Sequence, residues 1–128
     1  MENNAVTEYE DKVDEMTAVA FQIIMHAGDA RIASEEALKA LHTFDFEAAK
    51  KKVDESFDCL LQAHQIQTDL IQKEAAGEKY EISLIFNHAQ DTLMTSMTQC
   101  RLTRELCTLY ELLYDRIEEK GGQSEQRI

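Results

Sequence analysis

The fold of this chain depends on the stretch Phe86-Asn87-His88-Ala89-Gln90-Asp91-Thr92-Leu93-Met94-Thr95. This stretch lies inside a longer segment, from about Glu81 to Glu118, that contains neither glycine nor proline. Such a segment is typical of one long helix. Because a helix brings residues three and four apart onto one face, His88 and Asp91 are expected to be neighbours. The stretch therefore predicts a helix that carries an ionisable pair on one side.

The same helix carries two stripes at helical spacing. The first is a predicted core stripe made of Ile82, Phe86, Ala89, Leu93, Met97, Cys100, Cys107 and Tyr110. The second passes through the ionisable pair and is made of Leu84, His88, Asp91, Thr95, Thr98, Leu102, Leu106, Leu109 and Leu113. At 100° per residue the two stripes lie roughly 150° apart. One bundle core accounts for the first stripe only, so the second stripe predicts a further packing partner.

Length and composition indicate one all-α domain. The chain has 128 residues, 44% of them hydrophobic, which fits a single domain over residues 1–128. Proline is absent and glycine occurs only four times, so turn-rich β architectures are disfavoured. Polar residues at the two ends predict a frayed arm over about 1–8 and a disordered tail over about 120–128.

The charge balance excludes several classes of function. With 13 basic and 25 acidic residues, the net charge of −12 is a poor match to nucleic acid. No apolar run is long enough to span a bilayer and no basic-then-apolar signal opens the chain, so we expect no membrane insertion and a cytoplasmic location.

The chain has three cysteines, an odd number, and they fall on helical stripes: Cys59, Cys100 and Cys107. They are predicted to be buried thiols and not metal ligands or disulfide partners.

Two further helices precede the long one. The first is predicted from about Glu10 to His42, with Gly28 interpreted as a kink or a close helix contact and Ser34 as a possible second start. The second is predicted to begin after the N-cap Asp45 and to end near Ala76, before Gly77. Short connections make consecutive helices antiparallel. The predicted fold is therefore an antiparallel up-down-up three-helix bundle.

The second helix carries polar residues on its apolar stripe. This stripe is Phe46, Ala49, Val53, Phe57, Leu60, His64, Gln67 and Ile71. Burying His64 and Gln67 unpaired would cost about 1–3 kcal/mol each, so both are expected to be hydrogen-bonded. His64 is accordingly kept as a supporting site candidate, whereas His26 and His42 have no polar companions on their faces and are interpreted as structural or exposed.

The leucines of the second stripe predict self-association. An exposed leucine seam is avoided by monomers, and a parallel symmetric contact between copies of the third helix would cover it. Such an assembly brings Asp91 of every chain near the symmetry axis, where the carboxylates repel one another. Three carboxylates with waters suit Mg²⁺ or a similar divalent cation, each chain supplying one ligand. The alternative is an Asp91 that only hydrogen-bonds Thr95 or a neighbouring helix.

His88 is the candidate nucleophile of the chain. A free imidazole is largely neutral at neutral pH, so a ring nitrogen can attack phosphorus. The alternative is an interface histidine with a purely structural role.

Several segments together resemble the lactose/cellobiose-type enzyme IIA family of the bacterial phosphoenolpyruvate-dependent sugar phosphotransferase system. The central match is His88-Ala89-Gln90-Asp91 followed by Leu93-Met94-Thr95. The other matching segments are Ile23-Ile24-Met25-His26-Ala27-Gly28-Asp29-Ala30-Arg31, Asp45-Phe46-Glu47-Ala48-Ala49, Ala63-His64-Gln65-Ile66-Gln67-Thr68 and Gln72-Lys73-Glu74-Ala75-Ala76-Gly77. The match extends from about Phe21 to Leu113, which is nearly the whole chain.

The resemblance implies a homotrimer of three-helix bundles and a phosphotransferase activity. It implies that His88 accepts a phosphoryl group from the phosphohistidine of the carrier protein HPr. His88 then passes the group to a cysteine of the cognate IIB component, for phosphorylation of a β-linked disaccharide of the lactose, cellobiose or chitobiose type. It also implies that Asp91 holds a divalent cation on the three-fold axis and that Gln90 is a supporting neighbour.

One residue departs from the family pattern. Many members have a second histidine directly after the aspartate, where this chain has Thr92. Thr92 can donate one hydrogen bond to a phosphoryl oxygen but carries no positive charge. We therefore expect weaker stabilisation of the phosphoryl group, or compensation by another residue.

Two other classes of function remain open from the residues. A non-catalytic, acidic, helical oligomeric adaptor explains both stripes but not the interruption of a leucine seam by His88 and Asp91. A histidine phosphotransfer domain of two-component signalling also uses a helical histidine, but it is typically a four-helix bundle. A di-iron bundle is disfavoured because no Glu-x-x-His occurs.

Overall fold

The computed structural model describes residues 2–81 and 83–126, with side chains described for residues 3–81 and 83–122. This part of the chain forms three helices: α1 (Glu2–Leu41), α2 (Phe46–Ala75) and α3 (Leu84–Gln126). Each helix packs against the other two. The predicted all-α three-helix fold is confirmed.

Pairs of side chains between helices fix the up-down-up order. Glu15 near the start of α1 pairs with Lys73 near the end of α2, with 3.3 Å between Oε1 and Nζ. Late in α1, Glu36 pairs with Lys52 near the start of α2 at 2.8 Å. These two pairs make α1 and α2 antiparallel. Lys50 at the start of α2 pairs with Glu111 late in α3 at 2.7 Å, which makes α2 and α3 antiparallel as well.

The outer ends of the bundle differ from the prediction. Residues 2–8, expected as a frayed arm, belong to α1, and residues 120–126, expected as a tail, belong to α3. No glycine or proline stops α1 at its start, and Tyr9 is tethered by a 2.8 Å hydrogen bond from its hydroxyl to Glu81. Gly121 and Gly122 each lower the stability of a helix by about 1 kcal/mol relative to alanine. This cost is not enough to end α3. Met1, Arg127 and Ile128 lie outside the described residues.

The inner helix ends follow local capping chemistry. Asp45 caps α2, since its carboxylate accepts a 3.1 Å hydrogen bond from the backbone N–H of Ala48, as predicted. Gly77 follows α2 with φ +108°, also as predicted. The start of α3 is Leu84 and not Glu81, because the Ser83 hydroxyl accepts from the N–H of Phe86 at 3.2 Å and acts as the cap.

In α1 the predicted second start at Ser34 is wrong, and of the two interpretations of Gly28 the close helix contact is not found. The helix continues without a second start at Ser34, whose hydroxyl donates to the carbonyl of Arg31 at 2.7 Å and accepts from the Gln99 amide at 2.8 Å. A Cβ placed on Gly28 would meet nothing within 4 Å, so no close helix contact occurs there.

The core lies where the first stripe of α3 meets the small residues of α1 and the apolar residues of α2. Five residues of the predicted α3 stripe are buried: Phe86, Ala89, Leu93, Cys100 and Cys107. Met97 is half-buried, Tyr110 is exposed, and Ile82 lies outside the described residues. Ile71, predicted on the apolar stripe of the second helix, is exposed because the buried row of α2 passes through its neighbour Leu70.

The cysteines remain thiols inside the bundle. All three are free; Cys100 and Cys107 are buried and Cys59 is half-buried. Burial raises the pKa of the Cys59 and Cys107 thiols above the ordinary value. A raised pKa disfavours the reactive thiolate, so the predicted structural role is consistent with their environment.

Candidate functional site

The second stripe of α3 is exposed along its whole length on the single chain. Its leucines, which are Leu84, Leu102, Leu106, Leu109 and Leu113, are between 41% and 86% exposed. His88 and Asp91 are exposed in the same row. The structure thus leaves uncovered the face that the sequence singled out, with the ionisable pair near its N-terminal end.

The carboxylate of Asp91 is free to bind a ligand. Among the described residues it has no hydrogen-bond or ion-pair partner. The nearby Thr95 hydroxyl donates to the backbone carbonyl of Asp91 at 2.8 Å and not to its carboxylate. The alternative in which Thr95 occupies the carboxylate is therefore not what the structure shows.

The ring of His88 is also exposed and, among the described residues, unpartnered, and the Thr92 hydroxyl is bonded to the backbone of His88 and not to its ring. No described side chain hydrogen-bonds the imidazole. The half-buried Thr92 donates its hydroxyl proton to the carbonyl of His88 at 2.8 Å. A hydroxyl has a single proton to donate, so in this rotamer Thr92 cannot also donate to a group bound at the ring. The expected donation from Thr92 to a phosphoryl oxygen would require a different rotamer.

Gln90 points to a different surface from His88. It is half-buried and lines a groove with Leu70, Ile71, Phe86 and Asn87. No hydrogen bond of the described residues joins Gln90 to the imidazole. Its supporting role stays a prediction.

His64 is not buried, which corrects one expectation. The buried stripe of α2 runs through Leu60, Ala63, Gln67 and Leu70, so His64 lies beside it and is exposed. Its Nδ1 lies 3.5 Å from the Thr68 hydroxyl, and no described hydrogen bond connects it to His88. The supporting role of His64 therefore also stays a prediction.

Arg31, for which no role was predicted, lies against the second stripe of α3. Its Nη2 donates a 2.8 Å hydrogen bond to the Thr95 hydroxyl on α3. The signal in the sequence was a single basic residue, Arg31, close to two small residues of the buried face of α1, Ala30 and Ala33. Which neighbour the guanidinium reaches depends on the distance between α1 and α3, and spacing within one helix does not report this distance.

A single chain does not provide a complete metal site. Within residues 2–81 and 83–126, no group of three or more His, Cys, Asp or Glu side chains is arranged to hold a metal ion. The donor chemistry of Asp91 nevertheless fits a hard divalent cation, because an unpaired, exposed carboxylate offers oxygen ligands.

No helix within the described part of the chain is both long enough and apolar enough to cross a bilayer.

Fold and site define the class of the protein as an all-α three-helix bundle whose ionisable pair lies on an open helix face and not inside a cavity. A family model described as PTS system, Lactose/Cellobiose specific IIA subunit, matches residues 18–111. The chain therefore belongs to the lactose/cellobiose-specific IIA family of the phosphotransferase system, and it is a phosphotransferase protein.

Individual relatives agree with this assignment. The lichenan-specific phosphotransferase enzyme IIA component of Bacillus subtilis is 43% identical over 111 residues, which cover 87% of this chain and 97% of the relative. The crystal structure of PtcA from S. mutans superposes with a TM-score of 0.75 at 42% identity, covering 77% of this chain and 96% of that one. The IIA(Chitobiose) of Escherichia coli, solved in solution in complex with HPr, gives a TM-score of 0.66 at 39% identity, with 77% and 96% covered.

Proposed function

We propose that this protein is the IIA phosphoryl relay of a β-glycoside branch of the phosphotransferase system, with His88 as the residue that is phosphorylated. The observation that carries the proposal is the exposed, unpartnered imidazole of His88 on the uncovered face of α3. Family membership supports the same chemistry, as does the relative whose structure was solved with HPr. We also propose that the relay works in the cytoplasm.

Two transfers make up the proposed reaction. In the first, a ring nitrogen of His88 uses its lone pair to form an N–P bond, while the N–P bond to the histidine of HPr breaks. In the second, a cysteine thiolate of the IIB component forms an S–P bond and the N–P bond at His88 breaks. Because His88 is exposed, two partners can reach the same ring in turn, and neither step needs a general base on this chain.

The assembled form is proposed to be a homotrimer in which the exposed leucines of α3 pack against one another. Burial of apolar surface is worth about 25 cal/mol per Å², so leucines left uncovered on one chain favour assembly. The predicted arrangement brings Asp91 of three chains to the axis, where the carboxylates would hold Mg²⁺ or a similar cation. The bound cation would neutralise charge beside the phosphorylated ring. The chain itself contributes the open carboxylate and the helix that fixes its distance from His88.

The substrate class of the branch is proposed to be a β-linked disaccharide or a related oligosaccharide. Relatives are named as lichenan-, lactose- and N,N'-diacetylchitobiose-specific components. The relay protein passes on phosphate, and the specificity for the sugar belongs to its membrane partner.

The test compares two histidine variants under a carrier chain driven by phosphoenolpyruvate. His88→Ala should abolish acid-labile labelling, because the accepting nitrogen is lost, while helical content stays that of the wild type. His42→Ala is the matched control, since it removes another exposed histidine that has no polar companions on its face, and it should still be labelled. Labelling is measured by mass spectrometry of the intact protein. Normal labelling of His88→Ala would refute the assignment, and an unlabelled wild type would favour a non-catalytic adaptor.

A further inference from the structure

Arg31 is a cation without a counter-ion on the edge of the exposed stripe. The ion pairs among the described residues use Lys50, Lys52 and Lys73. None of them involves Arg31, which is half-buried, and its Nε is buried without any hydrogen-bond partner in this part of the chain. Burying this nitrogen without a partner costs free energy, and an anion that came close to the guanidinium would offset that cost. In a protein with a net charge of −12, a cation left unpaired suggests that its anion arrives on assembly.

A hydrogen bond holds the guanidinium against Thr95, one helical turn from Asp91. Nη2 of Arg31 donates to the Thr95 hydroxyl at 2.8 Å. That hydroxyl shares its single proton between the carbonyls of Asp91, at 2.8 Å, and Thr92, at 3.2 Å. Thr95 therefore uses both its acceptor and its donor capacity, so its rotamer is held from both sides. Since residues four apart are neighbours on a helix, the positive charge lies about one turn from the Asp91 side chain.

The position of this charge matters most when several chains meet. Carboxylates gathered near an axis repel one another in the low effective dielectric of an interface. A half-buried cation from the same chain, held about one turn away, offsets part of that repulsion. No movement of α1 or α3 is needed, because the contact between them already exists in the single chain.

We propose that Arg31 is a built-in counter-charge for the Asp91 carboxylates of the assembled trimer, so that the trimer persists when no divalent cation is bound. This inference rests on the proposed trimer. It assigns to α1 a part in the assembly of α3, and it makes Arg31 a residue that tunes how strongly assembly depends on the cation. The same charge would partly compensate for the absence of a cationic side chain at Thr92.

The test measures the trimer dissociation constant by analytical ultracentrifugation, in Mg²⁺ and in EDTA. Arg31→Gln should raise the constant in EDTA by about tenfold or more, because the repulsion between carboxylates is no longer offset. In Mg²⁺ the effect should be much smaller. Arg31→Lys should stay close to the wild type, because it keeps the charge. Circular dichroism checks that each variant is folded.

Arg104→Gln is the matched control. It removes one positive charge from α3 at a position about 180° around the helix from Thr95, nine residues away. The Arg104 guanidinium lies 4.4 Å from the centre of the Phe57 ring, on the side of α3 that faces α2. This variant should not change how the trimer responds to EDTA.

A double variant separates charge from packing. Adding Asp91→Asn to Arg31→Gln removes the repulsion itself, so the trimer should again resist EDTA. Equal behaviour of Arg31→Gln and Arg104→Gln in EDTA, or no recovery in the double variant, would overturn this inference alone if the wild type is a trimer. A wild type that is monomeric in both buffers would overturn the proposed trimer and this inference together.

Discussion

Asp91 and His88 are both exposed, but their proposed roles depend differently on assembly. His88 needs only access for a partner, which the single chain already provides. Asp91 offers one carboxylate, and one carboxylate is too few ligands for a tightly held cation of six oxygens. At the scale of the residue, the single chain therefore already presents the proposed nucleophile, whereas the proposed metal site would require copies of the chain.

Replacing Asp91 tests this difference. Asp91→Asn should lower the affinity for Mg²⁺ or Mn²⁺ by at least about tenfold, because each chain loses its charged oxygen ligand. Isothermal titration calorimetry should give one cation per trimer for the wild type. Asp69→Asn, at an exposed carboxylate of α2, is the control and should bind as the wild type does. Wild-type affinity and stoichiometry in Asp91→Asn would remove Asp91 from the metal site.

Spacing along one helix predicted the exposed pair but not its surroundings. The three-residue separation of His88 and Asp91, read against the buried row of α3, was enough to place both on the open face. The destinations of the Thr92 hydroxyl and the Arg31 guanidinium were not predictable, because they depend on rotamers and on the distance between helices. His64 was misplaced because it lies one position from the buried Ala63, and a stripe of mixed spacing allows either residue.

At the scale of the element, the α1–α2 connection contains a local conflict. Phe44 adopts φ +57°, a left-handed conformation that favours glycine. Its N–H donates to the Leu41 carbonyl at 3.1 Å, and the N–H of Asp45 donates to the Ala40 carbonyl at 3.0 Å, which together close α1 as glycine does elsewhere. The ring of Phe44 lies 5.2 Å from that of Tyr114, between ring centres, so an aromatic contact with α3 holds the strained residue.

The cost of this conformation can be measured by comparing two small residues at position 44. Phe44→Ala and Phe44→Gly both remove the ring, but only alanine keeps the left-handed strain. We therefore expect the glycine variant to be more stable than the alanine variant by about 1 kcal/mol. Urea unfolding followed by circular dichroism gives the two free energies of unfolding. Equal stability of the two variants would show that Phe44 is not strained.

Helix ends were predictable where one residue decides them. The side chain of Asp45 can cap the start of a helix by itself, and the backbone freedom of Gly77 can end one. The end of α1 was harder to foresee, since a phenylalanine takes the place of a glycine there and its ring contacts Tyr114 of α3. The outer ends of α1 and α3 were underestimated because polar sequence was interpreted as disorder where helix continues.

At the scale of the whole molecule, the buried row of α3 explains the bundle and the exposed row does not. The single chain buries Ala89 and Leu93 and leaves Leu102 and Leu109 exposed on the other side of the same helix. An amphipathic helix with a second apolar face normally has a second partner. The period of the sequence could predict that this partner exists, whereas the number of chains came only from the family resemblance.

The most direct measurement is native mass spectrometry of the protein after phosphorylation by the carrier chain in the presence of Mg²⁺, followed by mapping of the modified peptide. The account predicts a trimer that takes up one acid-labile phosphoryl group per chain, with the added mass on His88. A protein that stays monomeric, or a phosphoryl group found on a residue other than His88, would contradict it.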